Sequence, residues 1–296
     1  MLNEPTRHEL ADLGVLRVRG ADATRFLQGQ LSSDTERLAA DVSQLAGYHN
    51  PQGRTIAVLR LAMLAADDLL AIVPRELAHP VQLRLAKYLL RAKVKLADES
   101  NLWRLEGLRA SRDRQDLPAS MNGQTRIGDT VVVRITDSPR WLLISPCEAA
   151  SPLAAEAGDR ETWRRLDIAA GLPQVYTATS EEFVAQMLNL DVLGAIAFDK
   201  GCYTGQEVIA RAHYRGRVKR RLQRFVSTGP LRLAPGDTGR LADGRSLKVV
   251  EAAQRPDGRC EFLAVATLAA GDSDAAESGG TLDADTLPLP YEIPAA

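Results

Sequence analysis

Apolar and polar positions alternate along Gly14-Val15-Leu16-Arg17-Val18-Arg19, which predicts a strand. Gly20 then opens a helix capped by Asp22, with Ala23, Phe26, Leu27 and Leu31 on one face. Residues 54–61 and 69–73 read as two strands around an Asp67-Asp68 turn. Between Arg75 and Arg91 the residues Leu77, Val81, Leu85, Tyr88 and Leu89 recur at helical spacing, with Pro80 near the start of that helix. Short strands are predicted at 102–108, 131–135 and 141–144, and another helical stretch from Pro152. Helices and strands mix without a regular alternation, so the fold class is α+β, with helices packed on largely antiparallel sheets.

From about Leu222 the texture changes. Apolar runs at 222–226, 238–241, 247–253 and 259–267 are punctuated by Gly229-Pro230, Pro235-Gly236, Asp243-Gly244 and Pro256-Asp257-Gly258, the pattern of a small β-barrel. Residues 270–286 are rich in Asp, Ser, Gly and Ala and are expected to form a solvated loop. Leu287-Pro288-Leu289-Pro290-Tyr291 reads as an extended tail that docks back. The expected division is residues 1–220, with two α+β lobes, and residues 221–296, the barrel.

Composition narrows the function classes. The 296 residues are 45% hydrophobic and 25% charged with a net charge of -1, values of an ordinary globular chain and not of a generic nucleic-acid binder. No apolar run approaches the ~18 residues of a membrane span, and the first residues lack the basic-then-apolar order of a signal peptide, so a cytoplasmic location is expected. Cys147, Cys202 and Cys260 are too widely spaced for a zinc or redox pair, and their odd number excludes a closed disulfide framework. His8, His49, His79 and His213 include no pair at i, i+4 spacing, so no permanently bound metal is expected. An iron-sulfur cluster usually takes four thiolates, and any cluster here would need borrowed ligands.

The segment richest in chemistry is Asp199-Lys200-Gly201-Cys202-Tyr203-Thr204-Gly205-Gln206-Glu207. Thr204 and Glu207 have the spacing of a capping box, which places a helix start near Gly205. Cys202 lies two residues before that cap. There the helix dipole and the Lys200 ammonium would both favour thiolate over thiol, the setting of a reactive cysteine. The competing reading of any lone cysteine is a small buried hydrophobe, and Cys147 and Cys260 are assigned to it.

Downstream, Arg211, Arg215, Arg217, Lys219, Arg220, Arg221 and Arg224 follow with no acidic residue between Glu207 and Asp237. This run suits an RNA backbone or a small polyanion such as a glutamate-tailed cofactor, with a solvated linker as the alternative. Trp163, beside Arg164 and Arg165 on a helix ended by Gly171 and Pro173, suits a flat ligand carrying carboxylates; the alternative is core packing.

The stretch Lys200-Gly201-Cys202-Tyr203-Thr204-Gly205-Gln206-Glu207 resembles the K-G-C-Y-x-G-Q-E motif of the YgfZ family, folate-binding proteins related to the aminomethyltransferase (T-protein) of glycine cleavage and to a mitochondrial iron-sulfur assembly factor. Supporting matches run along the chain: Gly20-Ala21-Asp22, Phe26 to Leu31, Asn50-Pro51-Gln52-Gly53-Arg54, Gly171-Leu172-Pro173, Arg211-Ala212, Arg215-Gly216 and Leu287 to Tyr291. The resemblance implies a three-lobed, aminomethyltransferase-like folate-binding fold around a central cavity, with a small C-terminal β-barrel. It also implies tetrahydrofolate, or a one-carbon derivative, as cofactor. The implied role is support of assembly, repair or maintenance of iron-sulfur enzymes, including one that methylthiolates tRNA.

On this resemblance the catalytic residues are Cys202 and Lys200, and the folate-binding residues are Trp163, Arg165, Tyr203, Gln206, Glu207 and Arg215. The implied partners are iron-sulfur client enzymes and folate, with a tRNA contact through Arg211 to Arg224. Two departures stand out. The strand Arg54-Thr55-Ile56-Ala57-Val58-Leu59 lacks the catalytic Asp of aminomethyltransferases, and Leu13 takes a slot where a second aromatic would line the folate site. A folate-dependent aminomethyl transferase and a tRNA-binding regulator are the alternative functions.

Overall fold

The computed structural model describes residues 4–216, 218–268 and 280–294. Its backbone contacts define two compact units, each drawn from three stretches of chain: Met1–Tyr48, Ala57–Arg160 and Ala195–Thr204 form the first, and His49–Ile56, Glu161–Gly194 and Gly205–Ala296 the second.

The first unit is α+β. Its elements are β1 (Thr6–Glu9), β2 (Leu13–Arg19), α1 (Ala23–Gln28), β3 (Gln44–His49), β4 (Thr55–Ala65), β5 (Asp68–Pro74), α2 (Arg75–Ala86), β6 (Lys95–Asp98), β7 (Trp103–Arg109), β8 (Gln124–Ile127), β9 (Thr130–Arg134), β10 (Arg140–Pro146) and β11 (Glu156–Gly158). They build two sheets, ordered β3-β4-β5-β2-β6 and β11-β1-β7-β10-β9-β8. The pairings of β2 with β5 and β6, and of β7 with β1 and β10, are antiparallel, as the sequence pattern predicts. Helix α2 packs on β2, and its Leu77, Val81 and Leu85 are buried. Gly14 makes that approach possible, because a Cβ there would lie 3.2 Å from the Ala78 Cβ and 2.5 Å from the Ser100 Oγ.

Four local expectations fail here. Helix α2 ends at Ala86, not at Arg91: the N–H groups of Lys87, Tyr88 and Leu89 reach only three residues back, and Leu90 turns left-handed at φ 41°. Tyr88, placed on the buried stripe by spacing, is exposed. Asp22 occupies the cap position of α1 but its carboxylate accepts the Lys93 N–H instead of capping. The helical stretch expected from Pro152 starts only at Arg160. Residues 156–158 before it add β11 beside β1, so sheet pairing overrides the local preference.

The second unit holds α3 (Arg160–Ala169), α4 (Gln206–Tyr214), β12 (Arg220–Pro230), β13 (Thr238–Leu241), β14 (Ser246–Gln254), β15 (Arg259–Thr267), β16 (Thr281–Leu282) and β17 (Ala284–Leu287). The strands form one sheet in the order β16-β13-β14-β15-β12-β17. Its two outermost strands are separated in sequence by Asp283 alone, so the sheet curls into a nearly closed barrel. Phe225, Leu247, Val249, Phe262, Ala264 and Ala266 fill it, with the Phe225 and Phe262 rings stacked at 5.4 Å. Pairing within residues 281–286 corrects the solvated loop expected there, while residues 270–279 of that expectation lie outside the described residues. The tail docks as expected: the Tyr291 hydroxyl donates to the Gly171 carbonyl at 2.7 Å. Among the described residues no helix is long and apolar enough to cross a membrane.

Candidate functional site

In the first unit, residues 195–204 return to the region after α1. The Ser32 hydroxyl donates to the Ala195 carbonyl at 2.7 Å, and the Ala197 N–H donates to the Ser32 carbonyl at 2.8 Å. Arg37 and Asp199 form an exposed ion pair at 2.8 Å. Lys200 then turns inward. Its ammonium donates to the carbonyls of Gln28, Leu31 and Ser33 at 2.7, 2.8 and 2.7 Å, three acceptors around the C-terminal end of α1, where a cation is favoured. Burial lowers the Lys200 pKa to about 8 against the pull of Asp34 and Glu36. The same nitrogen lies 5.1 Å from the centre of the buried Tyr203 ring, whose hydroxyl burial pushes up to about 12.

Lys200 and Tyr203 thus anchor both sides of a two-residue step. Gly201 and Cys202, between them, are exposed, and a Cβ on Gly201 would meet nothing within 4 Å. Lys200 is turned to three backbone carbonyls, so its part in the arrangement is to hold the step that presents the Cys202 sulfur. The other thiols differ from each other, and one differs from the sequence reading. Cys147 is exposed, not the buried hydrophobe expected, whereas Cys260 is buried and its thiol is raised to about 11 by burial.

In the second unit α4 starts at Gln206, close to the predicted place but by another device. Gly205 is the cap residue, in the left-handed region at φ 82°, and no side chain caps the helix. The Thr204–Glu207 capping box is therefore not formed. With Gly205 at the cap, Thr204 falls one residue too early and Glu207 is the second helical residue, not the third that a box requires, and contact explains why a glycine stands there. A Cβ on Gly205 would lie 2.6 Å from the Asn50 carbonyl oxygen and 3.0 Å from the Gly53 Cα. Gly53 itself, at φ 71°, sits against Val208. Asn50 shapes this turn by accepting the N–H groups of Gln52 and Arg54 on its side-chain oxygen, and its amide donates to Glu181 at 2.7 Å. The motif Asn50-Pro51-Gln52-Gly53-Arg54 and the Gly205-Gln206-Glu207 helix start are thus one packed feature. Gln206 is half-buried at its first turn; Glu207 and, at its far end, Arg215 are exposed.

Trp163, on α3, is buried at 4% exposure. Arg165 donates to the Gln254 carbonyl at 3.0 Å and to the Thr162 hydroxyl, which ties α3 to the end of β14. Its neighbour Arg164 lies 3.3 Å from Glu251 on β14. Glu251 escaped the sequence reading. It is buried, accepts the Tyr176 hydroxyl and the Ala252 N–H, and burial raises its pKa to about 7. The signal in the sequence was a lone acid inside the apolar run Val249-Val250-Glu251-Ala252-Ala253, where the strand pairing shifts register.

The basic run is divided by the fold. Arg221 forms a buried pair with Asp191 at 2.7 Å and Arg224 pairs with Glu261 at 2.6 Å, so two of the seven cations are neutralised internally. Arg211 and Arg215 remain exposed, and Arg217 lies outside the described residues. Strand β4 carries no carboxylate along its length, and Thr55, Ile56, Ala57, Val58 and Leu59 are all buried. Among the described residues no group of three or more acids, histidines or cysteines is arranged to hold a metal ion.

No family model matches the chain. It is 33% identical over 227 residues to the tRNA-modifying protein YgfZ of Yersinia pseudotuberculosis, across 72% of this chain and 68% of that protein. The same figures hold for the tRNA-modifying protein YgfZ of Yersinia pestis. Among solved structures it resembles the glycine cleavage system aminomethyltransferase T of Bartonella henselae, with a TM-score of 0.70 at 14% identity over 89% of this chain and 79% of that one, a likeness of fold. With the Lys200-to-Glu207 motif presented as described and a third of the aligned residues shared, the chain belongs to the YgfZ family of tRNA-modifying proteins.

Proposed function

We propose that this chain is a tetrahydrofolate-binding accessory protein that supports the assembly, repair or maintenance of iron-sulfur enzymes, tRNA methylthiolation among their reactions, through the Cys202 thiol. The observation that carries the reading is the exposed sulfur on a step anchored by Lys200 and Tyr203. A sulfur so placed can act on a macromolecular client without the loop having to rearrange. Two modes share that requirement. As a ligand, the thiol gives its proton to water and its electron pair to a client's iron, while client residues complete the shell. As an exchanger, the thiolate attacks a client disulfide, forms a mixed disulfide and releases the client's other sulfur as thiolate.

The chemistry of the side chains fits a folate in part. Glu207 and Gln206 offer acceptor and amide groups suited to a pterin edge, and the exposed Arg215 suits a glutamate tail. Arg165 is engaged by Gln254 and Thr162, and Trp163 is closed over, so these two support the fold of α3. Tetrahydrofolate, when bound, supplies a one-carbon carrier. Aminomethyl transfer is the weaker reading, because β4 has no carboxylate to serve at the folate nitrogen.

The test is complementation of cells lacking the protein, with tRNA methylthiolation measured by mass spectrometry. Cys202→Ala and Cys202→Ser are expected to accumulate normally and leave methylthiolation at the level of the deletion. Full methylthiolation with either variant, at normal protein level, would refute the thiol role.

A further inference from the structure

Helix α2 ends in a segment that the functional reading leaves unused. No acidic residue occurs between Glu76 and Asp98, while Arg84, Lys87, Arg91, Lys93 and Lys95 fall in that interval. Lys87, Arg91, Lys93 and Lys95 are exposed, and none joins an ion pair among the described residues. Leu83, Tyr88 and Leu90 lie among them, exposed by 53%, 47% and 92%. The run at 211–224 also carries an exposed aromatic, Tyr214, but loses Arg221 and Arg224 to Asp191 and Glu261, whereas the cations after α2 have no such partners among the described residues.

The segment is held in place. The Lys93 N–H donates to Asp22 at 2.8 Å, Lys95 stands opposite Arg19 in the pairing of β2 with β6, and the Gln82 amide donates to the Leu96 carbonyl at 3.2 Å. Leu90 adopts a left-handed backbone at φ 41°, a conformation that costs a leucine about 1–2 kcal/mol. Edge strands commonly carry lysines to deter pairing, which accounts for Lys95 on β6 but not for Lys87, Arg91 or the exposed Tyr88.

We propose that the surface running from Leu83 at the end of α2 to Lys95 on β6 binds RNA, with Lys87, Arg91, Lys93 and Lys95 on the phosphate backbone and Tyr88 stacked on an unpaired base. Four uncompensated cations between positions 87 and 95 complement a polyanion, and an aromatic ring between them gives a base a face to stack on. The choice of RNA over other polyanions rests on the family reading, since the relatives are tRNA-modifying proteins. The surface does not depend on Cys202, so the two proposals fail separately.

The experiment measures binding of purified unfractionated tRNA by fluorescence anisotropy from 50 to 200 mM KCl. The variant Lys87→Glu/Arg91→Glu/Lys93→Glu/Lys95→Glu is expected to bind at least about tenfold more weakly, with a salt slope reduced by about 3 to 4, at ~0.7–0.9 for each phosphate no longer neutralised. Tyr88→Ala is expected to weaken binding with the slope unchanged, as stacking requires. Arg109→Glu/Arg112→Glu, which reverses two exposed cations elsewhere in the same unit, tests for a generic charge effect and is expected to retain the wild-type slope. Three results would each overturn the proposal: wild-type affinity in the quadruple variant, absence of saturable tRNA binding, or a loss confined to Arg211→Glu/Arg215→Glu. Binding to phosphatidylserine vesicles without binding to tRNA would overturn it in favour of a membrane surface. Cys202→Ala is expected to bind tRNA as the wild type does, and the quadruple variant to keep the wild-type rate of Cys202 alkylation, which separates this outcome from failure of the thiol reading.

Discussion

The Lys200 ammonium stands 5.1 Å from the centre of the Tyr203 ring while donating to three carbonyls at 2.7–2.8 Å, so the residues on either side of Gly201-Cys202 hold each other as well as the protein. The exposed thiol is therefore a property of its neighbours, which fix the backbone on both sides of the sulfur.

Lys200→Met tests that dependence. Methionine keeps much of the apolar stem but leaves three carbonyls without their donor, a loss of about 2–4 kcal/mol in urea unfolding. Lys200→Arg should not restore it, because a planar guanidinium cannot aim at three carbonyls converging on one point. The rate at which iodoacetamide modifies Cys202 is expected to change in both variants. An unfolding midpoint and alkylation rate equal to wild type would show that the clamp does not position the step.

Thiol labelling of the native protein should separate the three cysteines. Cys202 and Cys147 are exposed and are expected to react, while Cys260, buried with its thiol raised to about 11, should react only after denaturation. Peptide mass spectrometry of the labelled protein reads the pattern directly. Native labelling of Cys260 at the rate of Cys202 would contradict the barrel packing.

Much of this architecture is legible in periodicity. Strands β2, β4, β5, β7, β9, β10 and β12 to β15, and the first three turns of α2, follow from the apolar runs and from the Leu77, Val81, Leu85 spacing. What escapes is set by distant partners. Thr204 and Glu207 have the letters of a capping box, but the close approach of Gly205 to Asn50, far earlier in the chain, selects a left-handed cap instead. Residues 281–286 look too polar to pack, yet they pair because β12 and β13 each have an open edge. The charges at 211–224 read as one field until Asp191 and Glu261 arrive from elsewhere in the unit, and the cations after α2 are hidden in a helix pattern that stops sooner than its spacing suggests.

Gly201 and Gly205, on either side of Tyr203, should respond differently to a methyl group. Gly205→Ala places a Cβ 2.6 Å from the Asn50 carbonyl oxygen on a left-handed backbone, and is expected to cost roughly 2–4 kcal/mol through strain and displacement of the Asn50 turn. Gly201→Ala meets nothing within 4 Å and should shift stability by less than about 0.5 kcal/mol. Urea unfolding of the pair settles the contrast. Equal midpoints would mean that the packing of Gly205 on Asn50 and Gly53 does not fix the start of α4.

Glu251 should make stability depend on pH near neutrality. Its carboxyl accepts the Tyr176 hydroxyl and the Ala252 N–H and faces Arg164, with Asp167 acting against the charge. Burial outweighs the arginine, so its pKa rises from 4.5 to about 7. Between those two values the folded protein holds a proton that the unfolded chain has released. Stability from this group is therefore complete below about pH 4.5 and declines as pH rises through 7, by an amount on the order of 3 kcal/mol. Glu251→Gln keeps an acceptor for Tyr176 and removes the titration. Thermal unfolding between pH 5 and 8 is expected to show a falling Tm in the wild type and a flatter profile in the variant. Parallel profiles would mean that Glu251 is charged in the folded state across this range, held so by Arg164, and that α3 docks on the barrel through an ion pair.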